Sequence, residues 1–63
     1  MRLVVKKEDL LVYEIEEARE CEEVKRKYRM RATGSGIYLS DNGDSVLVRF
    51  KDRFYFIRVG CGM

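Results

Sequence analysis

Apolar and polar residues alternate along the C-terminal half of the chain. They do so in three short runs separated by turn signals. Asn42-Gly43 is a strong two-residue hairpin signal, because both residue types accept positive φ. Lys51-Asp52 is a weaker candidate for the second turn. Taken together the two turns set a register: Leu39 opposes Val46, Ile37 opposes Val48, Phe50 opposes Arg53, Val48 opposes Tyr55 and Val46 opposes Ile57. Side chains on a strand point alternately to opposite sides. One face of the meander over residues 37–59 therefore collects Ile37, Leu39, Val46, Val48, Phe50, Tyr55, Ile57 and Val59, all apolar or aromatic. The other collects Tyr38, Ser40, Ser45, Leu47, Arg49, Phe54, Phe56 and Arg58. A one-residue slip at the second turn would instead mix Phe54 and Phe56 with Val46 and Val48.

Upstream the period changes. Leu11, Ile15, Ala18, Cys21, Val24 and Tyr28 recur in steps of three and four, the spacing of an amphipathic helix. The pattern predicts a helix over 9–31, capped by Asp9 at its start and stopped by Gly34 just past its end. Such a helix would be about 34 Å long and would overhang a strand of about 20 Å. An alternative pairs Leu10-Leu11-Val12-Tyr13 with the N-terminal run as a hairpin and starts a shorter helix near residue 16. Residues 2–6, Arg-Leu-Val-Val-Lys, read as a strand, and Thr33-Gly34-Ser35-Gly36 as a flexible connector. The expected fold is a single α+β domain over residues 1–63, β-α-β-β-β. One amphipathic helix packs on one face of an antiparallel meander. The purely apolar face is the expected partner of the helix stripe.

Sixty-three residues leave no room for a second core, and a chain of this size buries only about 60% of its unfolded surface. With no run of 18 apolar residues, no membrane-spanning helix is expected. The N-terminal apolar stretch is too short for a secretory signal, so the expected location is cytoplasmic. Abundant Lys, Glu and Arg with no Gln and a single Asn is the compositional pattern of thermophilic proteins.

The net charge of +2 is the balance of segregated blocks. Residues 8–24 carry −7, residues 25–31 carry +5, residues 49–58 and 1–7 carry +3 each, and Asp41 and Asp44 supply the remaining −2. Acids early in the helix and bases late in it suit the helix dipole. The same bases, Lys25, Arg26, Lys27, Arg29 and Arg31, form a patch suited to a phosphate backbone. Arg49 and Arg58 interleave with Tyr38, Phe54 and Phe56 on the second sheet face, where rings could stack bases beside guanidinium groups. The competing reading of that face, with Leu47 at its centre, is a contact between two copies of the chain.

Enzyme chemistry has little to stand on. No His is present, so the Ser, Thr and Cys side chains lack the usual general base. Two thiols without His do not make a four-ligand zinc site. Cys21 and Cys61 are expected to be free in a reducing cytosol, with a disulfide between them the alternative. No cofactor and no metal are expected. The sequence thus points to a non-enzymatic nucleic-acid-binding or accessory regulatory protein of DNA or RNA. The alternative is a homodimeric structural or protein-interaction module without a nucleic-acid role. On this assignment of faces, Val48→Asp should unfold the domain and Arg58→Glu should spare it.

Overall fold

The computed structural model describes residues 1–60. Six strands and one helix follow in the order β1 (Arg2–Lys7), β2 (Leu10–Ile15), α1 (Ala18–Lys27), β3 (Arg31–Gly34), β4 (Ile37–Leu39), β5 (Ser45–Phe50) and β6 (Arg53–Val59). They form one sheet in the order β1-β2-β6-β5-β4-β3, every neighbouring pair antiparallel. The architecture is α+β, a single small domain with one helix on one face of an antiparallel sheet. It carries two more strands than β-α-β-β-β.

The first extra strand is β2. Residues 10–15 belong to a hairpin with β1, so the helix does not run from 9 to 31. Leu11 and Ile15 satisfy a helical step of four, but Leu11, Tyr13 and Ile15 also satisfy the period of two. The β-branched and aromatic character of Leu-Leu-Val-Tyr-Glu-Ile favours the strand. At ten residues the helix is about 15 Å long, and the expected overhang disappears.

The helix ends also differ from expectation. The Glu20 carboxylate, not Asp9, closes the start, accepting from the backbone N–H groups of Glu16 and Glu17 at 3.1 Å each. At the other end Arg29, not Gly34, takes the left-handed conformation, with φ 51°. The Met30 N–H then reaches Lys25 O at 2.9 Å and the Arg29 N–H reaches Arg26 O at 3.3 Å, a Schellman closure.

Gly34 lies in β3, the second extra strand. The Thr33–Gly36 segment is therefore a hairpin and not a connector. Gly36 turns it at φ 71°, its carbonyl accepts from the Arg49 N–H at 2.8 Å, and a Cβ there would sit 3.3 Å from Arg49 Cβ.

The meander register is the expected one at every pair from Ile37↔Val48 to Phe50↔Arg53. Its first turn is wider than a two-residue loop. The chain turns through 41–44 with positive φ at Gly43 alone. The Asn42 side-chain oxygen accepts from Ser40 Oγ at 3.0 Å, and Ser40 Oγ in turn accepts from the Ser45 N–H at 3.1 Å. The second turn is the tight one. Lys51 and Asp52 stand at φ 51° and 65°, a conformation that L side chains other than Asn and Asp resist. Lys51→Asn combined with Asp52→Gly should therefore raise stability by roughly 1–2 kcal/mol, an increase of several degrees in Tm for a domain of this size. Thermal melts of the two proteins check this; an unchanged or lower midpoint contradicts it.

The helix lies on the face opposite to the expected one. Its buried residues, Cys21 and Val24, pack with Ile15, Leu47 and Phe56, and Tyr13, Tyr28, Met30, Tyr38 and Phe54 close round them. Two physical reasons account for the choice. The helix stripe is made of small side chains, and it needs large rings beneath it to fill the space between helix and sheet. In addition, β2 and β3 run in the same direction, because four antiparallel steps separate them. Helix α1 is then a crossover between parallel strands, and the near-universal hand of such connections ties the helix to one face.

Candidate interaction face

Covering the ring face changes the standing of its residues. Leu47 is 0% and Phe56 1% exposed, with the Tyr28 ring 4.9 Å from Phe56 and the Tyr13 ring 6.0 Å from it. Phe54 and Tyr38 are half-buried at the margin of the same core. Leu47 and Phe56 are therefore core residues under α1, with Tyr38 and Phe54 at its margin.

The cations singled out in the sequence do not form one patch. Lys25 is held over the Tyr38 ring at 4.3 Å, with Glu22 3.5 Å from its Nζ. Lys27 lies over the Tyr28 ring at 5.6 Å. Arg26 and Arg29 are exposed. Arg31, opposite Leu39, belongs to the other sheet face. Arg49 opposes Phe54 and Arg58 opposes Ser45, so the two stand at opposite ends of the helix-covered face. Lys27 and Arg29 share the end of the domain beside the 41–44 turn. There Lys27, Tyr28, Arg29, Asp41 and Asn42 line a shallow cleft of about 200 Å³.

A larger cleft of about 400 Å³ lies beside the start of α1, lined by residues including Arg2, Glu14, Cys21, Asp52 and Arg53. Burial pushes the Cys21 thiol up, away from the reactive thiolate. The thiol is free and Cys61 lies outside the described residues, as does any bridge to it. Among the described residues no three His, Cys, Asp or Glu side chains are grouped to hold a metal ion, and no helix is long and apolar enough to cross a membrane.

Glu14 is the buried acid of this region. It accepts from Arg2 Nη2 at 2.6 Å and from Arg53 Nη1, tying β1 and β6 across β2. The hydrogen bond from Arg53 holds its carboxyl below the ordinary 4.5, with Arg2 adding to the effect. A carboxyl lowered in the folded state stabilises when ionised. Its contribution is complete above about pH 4.5 and is lost as the pH falls through the folded value. Glu14→Gln should thus lower the urea midpoint at pH 7 and change it little at pH 2. A residual acid dependence should remain from Glu20, which the N-terminal ammonium holds down in the same way. Equal losses at both pH values contradict the assignment.

The surface that sequence reasoning misjudged is the opposite face. Ile37, Leu39, Phe50 and Val59 are exposed, and Val46, Val48, Tyr55 and Ile57 are only half-buried by their neighbours. The new strands extend it. Leu10 opposes Val59, Val12 opposes Ile57 and Val5 opposes Val12, so all three lie on the same side. The result is a continuous aliphatic and aromatic sheet face spanning β1 to β4 with no helix over it. Its charges stand at the periphery: Arg2, Lys7, Arg31 and Arg53, with Glu14 between two of them. The alternation that defines this face was legible in the sequence; its lack of a cover was not.

The chain has no match among protein-family models, curated proteins or solved structures.

Proposed function

We propose that the protein is a non-catalytic interaction module whose working surface is the open apolar face of the sheet. The observation that carries this reading is the contiguity of Val12, Ile57, Val46 and Leu39 in one cross-strand row, beside Tyr55, Val48 and Ile37 in the next. Monomeric proteins rarely leave so large an apolar patch in water, and such patches mark binding surfaces. Less supports the nucleic-acid reading, because Phe56 is in the core and Tyr38 and Phe54 are half-buried against it.

Ile57→Arg tests the proposal. Ile57 points away from the core beneath α1, so the variant should keep its far-UV circular dichroism and cooperative melt while losing association through this face. Loss of the fold would show that the face belongs to the domain's own stability. Salt separates the two readings further. Binding to phosphates must weaken steeply as salt rises, whereas contact through an apolar face must not.

A further inference from the structure

We infer that the occupant of the open face is a second copy of the same chain, packed sheet against sheet with the helices outermost. This rests on the interaction-module reading above and names its partner.

Size comes first. Five strands about 4.8 Å apart, four of them about 20 Å long and β4 shorter, present roughly 450 Å² in plan per copy. Two copies face to face then cover about 900 Å² in plan, and pleating raises the accessible area toward the roughly 1,000 Å² a specific interface needs. The face is self-complementary in chemistry as well. From β6 to β4 its central rows hold aliphatic side chains and Tyr55, and Glu14, which continues the Tyr55 row on β2, is already paired with Arg2 and Arg53, so an identical surface leaves no charge unpaired at the centre. Two twisted sheets of the same hand pack at about 30° to one another with interdigitating side chains, the arrangement of a β-sandwich. Among the described residues the buried hydrophobic core is small, made of Ile15, Cys21, Val24, Leu47 and Phe56. A shared inter-sheet layer supplies the second core that so short a chain lacks.

The edges argue for faces over strand addition. β1 carries Arg2, Lys6 and Lys7 and a register break between Leu3 and Val5. β3 is four residues long and breaks register between Ala32 and Gly34. Charged, bulged and short edge strands resist pairing with another chain. The peripheral charges of the open face are mostly positive, so two copies repel mildly at the rim, and added salt should strengthen their association by screening.

Sedimentation equilibrium of the wild-type chain, with isotope-filtered NOEs between labelled and unlabelled copies, tests the inference. The expected mass is twice 7.5 kDa at roughly 100 µM, with association tighter at high salt. Intermolecular NOEs should arise from the methyl groups of Val46, Val48 and Ile57. Ile57→Arg should weaken the dimer at least about thirtyfold. A strict monomer overturns the inference, as does a dimer whose intermolecular NOEs come from β1, β3 or α1. If the wild type is a monomer while Ile57→Arg stays folded, the face serves a different partner and the interaction-module reading stands. If the wild type is a monomer and Ile57→Arg unfolds, both fall.

Discussion

Phe56→Ala should remove most of the domain's stability at 25 °C. The Phe56 ring is 1% exposed, sits between Tyr13 and Tyr28, and lies at the centre of the cluster that α1 covers. Removing a buried Phe side chain costs about 3–5 kcal/mol, the lost transfer energy plus the cavity left behind. A domain of 63 residues has roughly 3–9 kcal/mol of stability in total, so the loss takes most of it. Phe50→Ala is the matched comparison. It removes the same atoms from a ring that is 59% exposed on the open face, and should cost less than about 1 kcal/mol in the monomer. Urea unfolding followed by circular dichroism, at concentrations low enough to exclude association, gives both values. Equal costs would place the two rings in equivalent surroundings and contradict the fold.

Adjacent residues should respond in opposite ways to the same charge. Leu47→Asp places a carboxylate at a position with no exposed surface, in the cluster with Val24 of α1 and beside Phe56 on the neighbouring strand. The carboxylate must stay unpaired or take up a proton, and either outcome costs several kcal/mol, enough to unfold the chain. Val48→Asp puts the same group on the open face, half in water, where it needs no partner. That variant should melt cooperatively as a monomer and should not associate. The pair inverts what the sequence alone suggests, because α1 takes the face of rings and leaves the face of aliphatic residues bare. Unfolding of Val48→Asp together with survival of Leu47→Asp would restore the original assignment.

The reason for that inversion lies in what alternation encodes. Turn chemistry at Lys51-Asp52 and the pairing of Leu39 with Val46 through Val48 with Tyr55 are local, and the sequence carries them correctly. The side of the sheet that a helix occupies is not local. It depends on strand order and on the direction of β2 relative to β3, and β2, which the alternative hairpin of Leu10–Tyr13 does place against the N-terminal run, shares its spacing with a helical stripe. Leu11, Tyr13 and Ile15 serve either period equally, so spacing alone does not separate them. The purely apolar face reads as the core from hydrophobicity alone; side-chain volume points to the other. Helix residues as small as Cys21 and Val24 pack better against Phe54, Phe56 and Tyr38 than against Val46 and Val48. The cation patch failed for a related reason. Lys25 through Arg31 are consecutive, yet the helix end, its left-handed residue Arg29 and the start of β3 send them in different directions. Of the segregated charges, Glu20 in the first turn and Lys25, Arg26 and Lys27 in the last suit the helix dipole, and Lys25 pairs with Glu22.

All of these expectations depend on which sheet face α1 covers, and one NOE spectrum of the methyl-labelled chain reports it. The Val24 methyl groups should show strong cross-peaks to the Phe56 ring and the Leu47 methyls, and none within the same copy to Val46, Val48 or Ile57. Cross-peaks from Val24 to Val46, Val48 or Ile57 in the monomer, with none to Phe56, would contradict the account.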